Sequence, residues 1–173
     1  FHFAYLLLPL FVVASAKDDF DKGVAWLRRP DYFKAYDCFT VSLNNSRSEN
    51  NKKLEAESLL QLGKLSILLS QNDSAMRFLT NGSQLVDRFL ANDNKFKASF
   101  TLELGNAYSE NDDIENAAVY YRRAIKISEA AYGTQNMQTA NAYSCYSCYF
   151  TFKQQPDSEY YWSNKAYLIA SLN

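Results

Sequence analysis

Histidine is all but missing from this chain: His2 is the single one among 173 residues. Glycine (5), proline (3) and cysteine (3) are scarce as well. Each shortage removes a class of answers. Few turn formers in a chain of this length argue against a many-stranded β architecture and for helices. Lys and Arg (18) nearly balance Asp and Glu (19), leaving a formal net charge of -1. Without a basic excess, nothing calls for a nucleic-acid backbone as partner. An acidic tail and a polybasic membrane patch are also absent. Apolar and aromatic residues are plentiful, with 47% hydrophobic, 13 Tyr and 12 Phe, a profile of a folded globular chain rather than extended disorder. The length suits one domain with a continuous core.

The first sixteen residues (FHFAYLLLPLFVVASA) carry no Lys, Arg, Asp or Glu and end in Ala14-Ser15-Ala16. Small residues at the first and third positions before a scissile bond suit a signal peptidase, and a charged stretch begins at Lys17. The apolar run is shorter than the roughly 20 residues that span a bilayer. A cleaved signal peptide over 1–16 is therefore expected in preference to an uncleaved anchor, with the folded domain over 17–173 and a periplasmic or secreted location. With neither an initiator Met nor a basic region ahead of it, this segment is expected to lack its first residues. Cleavage would remove His2, and with it Ser-His-Asp catalysis, Cys-His catalysis and imidazole zinc sites.

Cys38, Cys145 and Cys148 remain, the last two as C-x-x-C. A metal site would need two further soft ligands, and only Cys38 is left. A redox pair should sit at a helix N-terminus after a strand, where the dipole lowers the thiol pKa. Here the pair lies inside a Tyr-rich helical pattern, so the residues read as small apolar side chains of a helix. An i, i+3 pair within an intact helix is poorly placed for a disulfide. Free thiols and no cofactor are expected.

Internal periodicity is the main positive signal. Gly23, Gly63 and Gly105 fall at one phase, 40 and 42 residues apart, and account for three of the five glycines. Around them recur Ala35, Ala75 and Ala117, and breaks at 29–31, 71–73, 111–113 and 155–157. Asp31, Asp73, Asp113 and Asp157 stand ready to cap the helix after each break. In the clearest copy Ile114, Ala117, Ala118, Tyr121, Ala124, Ile125 and Ile127 form a stripe at helical spacing. The Gly of one helix against the Ala of the next allows close antiparallel crossing. Four helix hairpins follow, over 17–47, 53–91, 94–131 and 135–172. The fourth departs from the pattern, with Ser147 at the Gly position and Glu159 at the Ala position.

Leu104 to Ile127 (LGNAYSENDDIENAAVYYRRAIKI) resembles the tetratricopeptide repeat, in which Leu-Gly and Tyr of a first helix pair with Ala, an aromatic and Ala of a second. The 42-residue spacing and the Ala131-Tyr132-Gly133 element look like the longer repeats of kinesin light chain. The resemblance implies an all-α, right-handed superhelical solenoid of antiparallel helix hairpins, with a concave groove lined by the first helices. It implies a non-catalytic module that binds a peptide or protein segment. By position the groove would be lined by Gln61, Lys64, Leu68, Glu103, Asn106, Glu110, Asn141, Cys145 and Cys148. Only Lys64 and Asn106 suit the family's terminal-carboxylate grip, which argues against that mode here. Glu110, Asp112, Asp113 and Glu115 read as a solvated turn rather than a catalytic set.

The aromatic run Tyr143, Tyr146, Tyr149, Phe150, Phe152, Tyr160, Tyr161, Trp162 and Tyr167 is either an exposed docking surface or, the favoured reading, the core of the last hairpin plus a face for a following repeat. The apolar end at Tyr167–Leu172, without a polar capping helix, predicts that further sequence follows. A second function is thereby in play: the sensory or spacer region of a longer exported protein with an energy-transducing TonB domain or a signalling enzyme such as a diguanylate cyclase. Membrane contact is expected only through an uncleaved signal or such a following segment.

Overall fold

Tight turns at one phase of the chain set the architecture. At Ser70, Asp112 and Gln154 the backbone takes left-handed φ values of 56°, 58° and 54°. The next N–H then closes back on the helix just ended: Gln71 N to Ser66 O (2.8 Å), Asp113 N to Tyr108 O (3.0 Å) and Gln155 N to Phe150 O (3.0 Å). The first helix ends in the same closure, from Asp31 N to Trp26 O (3.1 Å). This Schellman geometry satisfies the orphan carbonyls and reverses the chain within a few residues. L-residues in left-handed backbone cost about 1–2 kcal/mol each. Ser70→Gly and Gln154→Gly should therefore each raise stability by about 0.5–1 kcal/mol after the larger unfolded-state entropy of glycine is deducted. Urea melts with an unchanged m-value would show it.

The structure, a computed structural model, describes residues 15–172. The greater part of the expected signal segment, residues 1–14, lies outside them. Among the described residues there are eight helices and no strand, in four antiparallel pairs. They are α1 (Ala16–Leu27) with α2 (Tyr32–Ser48), α3 (Lys52–Leu68) with α4 (Asn72–Phe89), α5 (Asn94–Glu110) with α6 (Ile114–Tyr132), and α7 (Met137–Phe152) with α8 (Pro156–Ala170). Ser15 caps α1 in a capping box with Asp18, so Ser15 and Ala16 belong to the first helical hairpin. Asp31 and Asp113 cap α2 and α6 through their carboxylates. Asp73 and Asp157 do not cap: Gln71 and Gln155 hold the cap positions without a side-chain bond, and the two acids sit in the first turn. There they still favour the helix by facing its positive end.

Two rows of side chains hold the stack together. Within a pair, Gly23 faces Phe39, Gly63 faces Leu79 and Gly105 faces Tyr121, and a Cβ on Gly23 or Gly105 would stand 2.7 Å from the ring. Between pairs, a small residue of the second helix meets the next first helix. The hydroxyls of Ser42 and Ser58 lie 3.0 Å apart, Gly82 faces the Phe100 ring, and Ala124 and Ala142, at the same phase, are both fully buried. First helices of successive pairs touch one another, α1 with α3 and α3 with α5, which puts them on the inside of the curve. The hydrophobic core falls into two clusters that share α5. In the last pair Ser147 and Ser163 take the glycine and aromatic positions, and Trp162 fills the space instead, 5.6 Å from Tyr143 and 5.2 Å from Tyr146.

Candidate functional site

The inner faces of α3, α5 and α7 build one polar surface whose centre is Glu103. Its side chain is buried, and an ionised carboxylate there needs partners. Lys64 Nζ lies 3.3 Å from Oε1, and Asn106 Nδ2 donates to Oε2 at 2.9 Å. Asn106 Oδ1 in turn accepts from Tyr121 Oη at 3.1 Å. The same Tyr121 is the aromatic packed over Gly105, and burial raises its phenol well above the ordinary value, so it stays a donor. A core contact thus anchors the row Tyr121–Asn106–Glu103–Lys64, which fixes three groove side chains without any ligand.

Beside this row lies a cavity of about 170 Å³ between α3, α5 and α7, reached by Lys64, Ser99, Leu102, Glu103, Gln138 and Asn141 and walled on the α6 side by Ser128 and Tyr132. Asn141 and Gln138 are exposed. Their amides offer a donor and an acceptor each, the two groups that a peptide backbone presents in reverse.

Residues 98–130 match the family model of the tetratricopeptide repeat. The chain therefore contains a tetratricopeptide repeat over these residues. Two solved structures share this repeat architecture along nearly all of the chain. BtubC (BKLC) from P. vanneervenii superposes with a TM-score of 0.76 at 15% identity, covering 91% of this chain and 63% of BtubC. MamA superposes with a TM-score of 0.63 at 15% identity, covering 90% of this chain and 78% of MamA. The chain therefore spans less than two thirds of the length of BtubC. At these identities the likeness is one of fold. No curated protein matches the chain in sequence.

Of the groove residues read from the tetratricopeptide pattern, the structure brings Lys64, Glu103 and Asn141 to the cavity and joins Asn106 to them through Glu103. Gln61, half-buried on α3, does not line it. Leu68 and Glu110 stand exposed at the far ends of α3 and α5, away from the cavity. Glu110 contributes its backbone carbonyl, which accepts from Asn72 Nδ2 at 3.0 Å. Cys148 is exposed, with its thiol turned to Ser144 O at 3.5 Å. Ser99, Leu102 and Gln138 were not singled out in the sequence. Ser99 shares the 42-residue phase of Asn141, so the period itself could have found it.

Both C-x-x-C thiols are free. Burial pushes the Cys145 thiol up to about 12, helped by the charge of Glu103. A thiol held that high carries a thiolate fraction of about 10⁻⁴ at pH 8, and the thiolate is the reactive form. Exposed Cys148 is expected to label first with an alkylating reagent. The Cys145 rate should keep rising about tenfold per pH unit from pH 9 to 11, which mass spectrometry of the two cysteines reads directly. A rate that levels off near pH 9 would contradict the burial argument. Among the described residues no group of three or more His, Cys, Asp or Glu side chains is placed to hold a metal ion. No described helix is long and apolar enough to cross a membrane.

Proposed function

We propose that this chain is an exported, non-catalytic scaffold that holds a peptide or protein segment in its concave groove, without a cofactor and without nucleic acid. Tetratricopeptide-repeat folds serve as protein-interaction scaffolds, and the finer reading rests on one observation. The row Tyr121–Asn106–Glu103–Lys64 is preorganised beside a cavity that Asn141 and Gln138 border with open amides. Side chains fixed before binding reduce the ordering cost of binding. The small cavity and near-neutral lining suit an extended polar segment rather than a compact charged ligand. Export is supported by the uncharged, apolar residues 1–16.

The experiment uses the chain as bait against the envelope fraction of its source, beside a Ser99→Arg/Asn141→Glu double variant. Both substitutions fall at the cavity and leave the Glu103 row intact. A defined protein kept by the wild type and lost by the variant, at equal helicity by circular dichroism, is the expected result. Equal retention by both would place the partner on another surface and sink the groove reading. For export, the natural reading frame from its own start codon through residue 16 is joined to a reporter that is active only outside the cytoplasm; a silent reporter removes that half of the proposal.

A further inference from the structure

The concave cavity continues into a second hollow of different chemistry. Ser99 and Tyr132 line the cavity and also line a space of about 220 Å³ toward the N-terminal ends of α3 and α5. Leu60 and Phe96 give this space an apolar part, with Leu60 buried and Phe96 half-buried. Its remaining wall carries Lys53 and Lys95, both exposed. The two lysines stand 42 residues apart, at one phase of the repeat, and each is the second residue of its helix.

Their neighbours are neutralised and these two are not. Lys52 pairs with Glu55 at 3.0 Å, and Lys64 with Glu103 at 3.3 Å. Among the described residues Lys53 and Lys95 enter no ion pair; Lys95 Nζ stands 5.7 Å from the centre of the Tyr132 ring. Asp93, the one acid in the lining, is occupied as the cap of α5, accepting from the N–H groups of Lys95 and Phe96 at 3.1 Å each. A cation in the first turn also opposes the dipole of its own helix. Neither lysine is therefore explained by the stability of the helix that carries it, and the same departure occurs twice at one phase, on one shared hollow.

Two unpaired cations call for a negative group. The apolar surface of Leu60 and Phe96 beside them calls for hydrocarbon next to that charge, which a compact anion such as phosphate does not supply. The hollow also opens into the cavity that Asn141 and Gln138 border with free amides, so what enters it is continuous with a longer chain.

We propose that the segment held in the groove carries an internal Asp or Glu whose carboxylate sits between Lys53 and Lys95, with an adjacent apolar side chain on Leu60 and Phe96. The proposal rests on the groove reading above and adds to it the chemistry of the partner, an acidic and apolar stretch of a protein chain.

The probe is a set of octapeptides blocked at both ends, degenerate except at one inner position fixed in turn as Asp, Glu, Asn, Gln, Leu or Lys. Blocked ends leave no terminal carboxylate to supply the charge. Retention on the immobilised full chain at low salt should favour the Asp and Glu pools over the Asn and Gln pools by about fivefold or more, and high salt should shrink the difference. Lys53→Gln/Lys95→Gln should bring the ratio to about one. Because both lysines are exposed and oppose their helix dipoles, this variant should melt no lower than the wild type, which circular dichroism checks. Pools retained by the wild type without an acidic preference overturn this inference and leave the groove reading standing. So does an acidic preference that survives in the double-lysine variant, since another surface then reads the charge. Retention of every pool unchanged by Ser99→Arg/Asn141→Glu, or of none by the wild type, removes the groove reading and this inference with it.

Discussion

Phe100→Ala is expected to lower the unfolding free energy by about 3–5 kcal/mol, the loss that goes with emptying a fully buried aromatic site. For a domain of this size that corresponds to a melting temperature lower by about 6–20 °C. The ring is 1% exposed and stands at the junction of two pairs, packed against the Gly82 backbone of α4. Removing it leaves a cavity at a phase that small residues hold at the other junctions, Ser42 with Ser58 and the fully buried Ala124 and Ala142. A second substitution separates packing from mere size. Gly82→Ala alone places a Cβ into the Phe100 ring, and overpacking of this kind costs about 1–3 kcal/mol. In the Phe100→Ala background the same methyl enters the vacated space and gains the helix propensity of alanine, about 1 kcal/mol. The sign of the Gly82→Ala effect should therefore reverse between backgrounds. Additive effects in a double-mutant cycle would refute the contact.

The repeat was legible in the sequence because its glycines carry a single physical burden, close approach inside a hairpin, and therefore recur as one residue type. The row between pairs was not legible in the same way. Its members are Ser42, Gly82, Ala124 and Ala166, facing Ser58, Phe100 and Ala142, and no one residue type marks the phase. The same limit applies to the groove. Its rows 61, 103, 145 and 64, 106, 148 follow from the period, but the period does not say which of them close into a cavity. That depends on Tyr121, whose hydroxyl reaches across from the second helix to Asn106. Asp73 and Asp157 misled for a local reason. The phase of Asp31 and Asp113 falls on Gln71 and Gln155, which therefore hold the caps, and each acid lies two residues further on, as the second residue of its helix. The aromatic run divides between both of its readings. Tyr143 and Tyr146 are buried and Trp162 packs on them, whereas Tyr160, Tyr161 and Tyr167 are exposed. Helix α7 has no charged residue, so its sequence carries no polar face from which to read the division.

A chain that begins at Ser15 should be more stable than one that begins at Lys17 by about 3 kcal/mol, although only two residues separate them. The Ser15 side chain accepts from Asp18 N at 3.2 Å, and Ser15 N donates to the Asp18 carboxylate at 3.1 Å. That capping box contributes about 1 kcal/mol. Ala16 is fully buried, and both of its backbone groups bond across to α2 and the turn after it. Its N–H donates to Glu49 Oε1 at 2.9 Å, and its carbonyl accepts from the buried Ser42 hydroxyl at 2.7 Å. Removing the carbonyl leaves Ser42 with Ser58 as its remaining partner, and a buried hydroxyl that loses an acceptor costs about 1–3 kcal/mol. Ser15→Ala in the longer chain should reproduce only the capping part, about 1 kcal/mol, and Ser15→Gly a few tenths. Equal urea midpoints for the two starting points would show that α1 is held by Phe20 and Gly23 alone. The difference bears on export, because a cut after Ala16 discards the cap and the buried alanine, whereas a cut two residues earlier keeps both. A chain cut after Ala16 would then differ from one cut after Ala14 by a factor of about a hundred in its folded-to-unfolded ratio.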